Sequence, residues 1–269
     1  MEAAGVLDSS TSLSLSTTFA TKHSATNWVP MGQLFLVRHA QASFLEPDYD
    51  KLSALGENQA RLLGKYLAVR RIIFERACTG PRVRQKDTAK LVSEEYRNEG
   101  VPFPALRVFP EFDEYHGEAV LEKSLPELLE TDPRIRDLHA AHHASGDSAG
   151  RHATFQKLFE AVISKWARGL ICPQGVEPWS DFCSRVNSGL MGFLSAGGRG
   201  ERIAIFTSGG PIALAMQRAL RLSTESTLQV SWMSRNSSWS EFLCSDNRFT
   251  LSAFNAHGHI DDPTMLTYR

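Results

Sequence analysis

The chain has little cysteine, no strong excess of charge and no long apolar run, and each shortage removes a class of protein. Its four cysteines, Cys78, Cys172, Cys183 and Cys244, are scattered and form no C-x-x-C pair or metal-ligand spacing. A disulfide scaffold or zinc module is thereby disfavoured, and reduced thiols in a cytoplasmic protein are expected. Lys and Arg number 29 against 30 Asp and Glu, a formal net charge of -1. No global basic surface exists to attract nucleic acid or an anionic membrane, so neither is expected as a partner. No apolar stretch approaches the ~18 residues that span a bilayer.

At 269 residues the chain can bury one large α/β core and carry an insertion. Residues 1–31 are rich in Ser, Thr and Ala, without hydrophobic periodicity, and read as a disordered tail. Met31 stands directly before the first strand and is a candidate translation start.

The informative stretch is Leu34-Phe35-Leu36-Val37-Arg38-His39. Four apolar residues suited to a buried parallel strand stop at an arginine and a histidine, where open α/β sheets place their ligands. A guanidinium can hold two phosphate oxygens, and a neutral imidazole can attack phosphorus. A helix follows with Ser53 as its N-cap and Leu55, Gln59, Leu62, Leu63, Tyr66 and Leu67 at helical spacing. Ile72-Ile73-Phe74 opens a second strand region ending at Gly80-Pro81, where a second helix begins. This β-α-β-α order is that of a parallel sheet.

Three motifs in sequence order then carry a resemblance: Arg38-His39 after a strand, Leu52-Ser53-x-Leu55-Gly56-x-x-Gln59-Ala60, and Pro81-x-x-Arg84-x-x-x-Thr88-Ala89. With Asn236-Ser237-Ser238 and a closing hairpin that turns at Asp246-Asn247, they resemble the histidine phosphatase superfamily, also called phosphoglycerate mutase-like. The resemblance covers about residues 32–260 and implies a three-layer α/β/α fold with a mostly parallel sheet. Residues 118–174 are expected to form a helical cap of two amphipathic helices, and 261–269 a C-terminal tail. The polar stretch between those helices holds His139, His142 and His143, read as solvated surface rather than as metal ligands.

The resemblance implies that His39 is the nucleophile, with Arg38 and Arg84 on the phosphoryl oxygens and Arg82 as a competitor for Arg84. It also implies a carboxylic acid that protonates the leaving group, for which Glu114 comes first, Asp113 second and Glu111 third. Ile203-Ala204-Ile205-Phe206 reads as another buried strand, followed by Ser208-Gly209-Gly210 and a helix from Ile212. The family usually places a second histidine at this turn, and here the residue is Ser208. Ser208 and Gly209 are expected to help bind phosphate, because a helix N-terminus offers N–H groups to an anion. Ala40 replaces the usual glycine after the nucleophile.

The implied activity is hydrolysis of a small phosphomonoester through phosphohistidine, with no cofactor and no metal. The alternative is an impaired member that only binds a phosphorylated ligand or acts as an interaction module, and mutase activity ranks third. A homo-oligomer is compatible with the sequence.

Overall fold

The computed structural model describes residues 31–43, 50–196, 200–245 and 248–268. The tail expected over 1–30 and the hairpin tip Asp246-Asn247 lie outside the described residues.

The strand that ends at the Arg-His pair, β1 (Gly32–Arg38), lies inside a six-stranded sheet. The other strands are β2 (Arg76–Thr79), β3 (Leu106–Val108), β4 (Arg202–Thr207), β5 (Trp239–Ser245) and β6 (Arg248–Ala256), in the order β3-β2-β4-β1-β5-β6. The β1–β4, β2–β4 and β2–β3 pairings are parallel, whereas β5 and β6 add an antiparallel edge.

Because side chains alternate along a strand, the apolar run of β1 feeds two cores. Leu34 and Leu36 join Ile203, Ile205 and Phe242 on one face. Phe35 and Val37 join Ala77, Ala204 and Phe206 on the other. The second face is covered by α1 (Ala54–Val69) and α2 (Val83–Asn98), whose Leu63, Leu67, Val92 and Tyr96 pack there. The first face is covered by α6 (Trp179–Ala196) and α7 (Gly209–Leu220), through Phe182, Val186, Leu190, Ile212 and Leu214. A strand covered on both faces needs apolar residues throughout, which is why β1 and β4 read as unbroken runs. The result is a three-layer α/β/α fold with a mostly parallel sheet.

Several boundaries differ from the sequence reading. The second strand is only Arg76–Thr79, and Ile72 and Ile73 lie in the irregular stretch before it. Helix α7 starts at Gly209, not Ile212, so both glycines lie in its first turn. The segment expected to hold two helices holds three: α3 (Gly117–Thr131), α4 (Pro133–Ala144) and α5 (Ser148–Ala167). The polar histidine stretch is thus helical, capped by Asp132, whose carboxylate accepts from the backbone N–H groups of Arg134 and Ile135. Only Ile135 of α4 is buried, so its sequence carries almost no apolar periodicity to betray the helix.

A helix α8 (Thr224–Met233) precedes β5. The C-terminal tail, 261–269, is hydrogen-bonded to the domain as far as Thr267: Asn236 N–H donates to Thr267 O at 2.8 Å. Among the described residues no helix is long and apolar enough to cross a membrane.

Candidate active site

The carboxyl ends of β1 and β4 lie side by side, with Arg38 opposite Thr207 and His39 N–H donating to Thr207 O at 2.8 Å. Arg38 and His39 are delivered there by the strand, and Arg84 by the first turn of α2. Together with Glu114 they line one cavity of about 150 Å³, completed by Ala42, Arg82, Tyr115, Gly117, Glu118, Phe155 and Phe159.

His39 is held in one tautomer. Its Nδ1 lies 2.8 Å from Ala40 O, an atom that can only accept, so Nδ1 carries the proton. Nε2 therefore keeps its lone pair, and at 3.1 Å it accepts from Arg84 Nε. Burial, then the charges of Arg84 and Arg38, hold the imidazole pKa well below its ordinary value. The ring is neutral at neutral pH, as a nucleophile must be.

The arginines are anchored by different means. Arg38 donates from Nη1 to Ser234 O. Arg84 Nη1 reaches Asp50 Oδ1 at 2.7 Å, and the other oxygen of Asp50 accepts from Val83 N–H at 2.8 Å. Arg82 donates from Nε to Asp113 Oδ1 at 2.6 Å and from Nη2 to Glu114 O at 3.1 Å. All three guanidinium groups face the same cavity.

The three candidate acids separate in space. Glu114 lines the cavity, while Asp113 is outside it and ion-paired to Arg82. Glu111 is also outside, its Cβ lying against Gly189 of α6. Glu114 Oε2 accepts from Gly210 N–H at 3.0 Å, at the start of α7. A Cβ on Gly210 would collide with Glu114 Oε1, so a glycine is needed there for the carboxylate to approach. Burial pushes the Glu114 carboxyl pKa up, and the bonds from Gly210 and Tyr115 and the charges of Arg84 and Arg82 only partly oppose it.

Ser208 and Gly209 stand apart from this cluster. Neither lines the cavity. Ser208 is 1% exposed, and its Oγ accepts from Gln85 Nε2 at 2.8 Å. Gly209 packs against Ser231 of α8. The sequence reading placed both on the phosphate; the structure puts Ser208 behind the site, held by a glutamine that reading passed over. No local pattern marks Gln85; in the fold its amide lies so close to Gly80 that a Cβ there would collide with it. Asp50 was also missed, being one of three acids, with Glu46 and Asp48, in the stretch after β1. Phe155 and Phe159 were legible only as apolar positions of a cap helix.

Among the described residues no group of three or more His, Cys, Asp or Glu side chains could hold a metal ion. His139 and His143, with Nε2 atoms 3.0 Å apart on α4, make only a pair.

No curated protein is significantly similar to the chain in sequence. Solved structures are similar in fold. YhfR of Bacillus stearothermophilus superposes with a TM-score of 0.60 at 18% identity, covering 85% of this chain and 98% of that one. A phosphoglycerate mutase from Bacillus anthracis gives 0.55 at 16% identity, over 86% and 96% of the two chains. A mycobacterial glucosyl-3-phosphoglycerate phosphatase, in complex with inorganic phosphate, gives 0.54 at 20% identity, over 85% and 99%. The sequence itself matches the family model over residues 34–145 and 118–257, well over half its length, and the chain belongs to the histidine phosphatase superfamily (branch 1).

Proposed function

We propose that the protein hydrolyses a small phosphomonoester through a phosphohistidine at His39. The observation that carries this reading is the His39 ring: Nδ1–H is committed to Ala40 O, and the lone pair on Nε2 accepts from the Arg84 guanidinium at the cavity. Entering phosphoryl oxygens replace His39 Nε2 as the acceptors of Arg84. Nε2 then attacks phosphorus as the P–O ester bond breaks. The departing alkoxide takes the proton of Glu114, whose raised pKa suits a general acid. In the second half Glu114, now a carboxylate, takes a proton from water as that water attacks phosphorus. The N–P bond breaks, and inorganic phosphate leaves with His39 neutral again. Arg38, Arg82 and Arg84 offset the charge on the phosphoryl oxygens throughout, which is most of what phosphoryl transfer asks of a protein.

The substrate's remaining part meets Phe155, Phe159, Tyr115 and Glu118. A second anionic group finds no cation there among the described lining residues, which favours a phosphatase over a mutase acting on a phosphorylated acid.

One observation favours a second reading, a site that only binds a phosphorylated ligand. Ser208 is uncharged and bonded to Gln85 rather than lining the cavity, so this turn gives the transition state no charged side-chain donor, a lack that costs ~10²–10³ in rate. Turnover of a generic aryl phosphate, in chelator, by wild type, His39→Ala and Ser208→His decides between the two. Wild-type turnover that vanishes in His39→Ala supports the phosphatase. Turnover seen only in Ser208→His supports the binder.

A further inference from the structure

Beyond the residues that face the cavity, we propose that Thr267 is a positioning residue that fixes the backbone on both sides of Ala40, directly after the nucleophile; this rests on the reading of His39 as the phosphorylated group. The argument follows the direction of a chain of hydrogen bonds.

Gln59, fully buried in α1, donates from Nε2 to Met265 O at 2.7 Å, and its Oε1 accepts from Gln41 N–H at 2.9 Å. A carbonyl can only accept and a backbone N–H can only donate, so the amide has one orientation. Its Nε2 also donates to Thr267 Oγ1 at 3.0 Å. With a lone pair taken, the Thr267 hydroxyl donates to Asn236 Oδ1 at 2.9 Å. Asn236, 1% exposed, must then turn its Nδ2 to the other side, where it donates to His39 O at 3.3 Å. Asn236 N–H closes the loop by donating to Thr267 O at 2.8 Å.

One hydroxyl therefore sits between two buried amides, one bonded to the carbonyl of His39 and the other to the N–H of Gln41. Residue 40 is held separately, Ala40 N–H donating to Thr88 Oγ1 at 3.0 Å. Ala40 O is the atom that fixes the His39 tautomer, so its peptide must not rotate. Removing the hydroxyl leaves Asn236 Oδ1 buried without this partner and frees the amide to flip, which opposes its bond to His39 O.

The test compares Thr267→Val, which keeps the branched shape and removes the hydroxyl, with Thr267→Ser, which keeps the hydroxyl. Thr267→Ala repeats the first arm without a β-branch. Aryl phosphate kinetics, thermal melting and amide hydrogen exchange at Gln41 are read on each, beside His39→Ala. The expected result is a roughly tenfold fall in kcat with KM within about twofold for Thr267→Val and Thr267→Ala, faster exchange at Gln41, and near wild-type values for Thr267→Ser. Unchanged exchange and kcat in the hydroxyl-free variants overturn the proposal. So does a lowered melting temperature with kcat intact, or an equal loss in Thr267→Ser. A wild type without turnover sinks the phosphatase reading alone, because the exchange measurement still reports on the hydroxyl.

Discussion

The two ends of the cavity are built on different principles. The end around His39 comes from the end of β1, the start of α2 and the loop before α3, and three of its side chains are held by backbone atoms, His39 by Ala40 O, Arg38 by Ser234 O and Glu114 by Gly210 N–H, while carboxylates hold Arg84 and Arg82. The opposite end comes from helices α3 and α5 and is lined by Phe155, Phe159, Gly117 and Glu118. Fixed dipoles at one end suit a reaction in which charge must be met without rearrangement. Apolar rings at the other end confer area without direction. On the proposed mechanism the chemistry resides at the sheet, and the choice of substrate in the helices above it.

That division can be broken or sharpened by substitution. His39→Ala removes the nucleophile, and turnover of an aryl phosphate is expected to fall by ~10³ or more while the melting temperature changes little. Glu114→Gln removes the acid, with an expected loss of ~10² or more in kcat for a substrate with a poor leaving group. Its pH profile sharpens the assignment. The proposed mechanism needs His39 neutral and Glu114 protonated, so its acid limb lies below the usual histidine range and its alkaline limb above the usual carboxylate range. Glu114→Gln should abolish the alkaline limb alone.

Phe159→Ala acts at the other end. It is expected to raise KM for an aryl phosphate roughly tenfold and leave inhibition by inorganic phosphate unchanged. An equal effect on both would erase the distinction between the two ends.

The smallest effect concerns stability. His259 is buried, its Nε2 lies 2.7 Å from Ser237 Oγ, and burial pushes its pKa down to about 3. The folded state thus favours the neutral ring. Its contribution is complete above the unfolded value near 6.5 and is lost as pH falls toward 3, on the order of a few kcal/mol at most. In His259→Gln, urea melts between pH 6.5 and 4 should show a shallower loss of stability than wild type.

The same contrast explains what the sequence disclosed. β1 and β4 were legible because strands covered on both faces must be apolar throughout, and Arg38-His39 stood out against that run. The N-cap at Ser53 was legible too, its Oγ accepting from Gly56 N–H at 3.0 Å. Helix α4 was not, because it buries one side chain and carries its charges all round. The positions of Ser208 and Gln85 were hidden for another reason. Whether a side chain at a strand end turns into the cavity or behind it depends on a partner elsewhere in the chain, and no local pattern encodes that. The binding of residues 265–267 to Gln59 and Asn236 is likewise a matter of single hydrogen bonds across more than 200 residues for Gln59 and about 30 for Asn236.

The most direct test of the central claim is a rapid quench into alkali of wild-type protein turning over an aryl phosphate, followed by peptide mass analysis. The account predicts one added phosphoryl group on the peptide that carries His39, stable in alkali and lost in acid, and absent in His39→Ala. Turnover without that adduct, or an adduct on another residue, would contradict it.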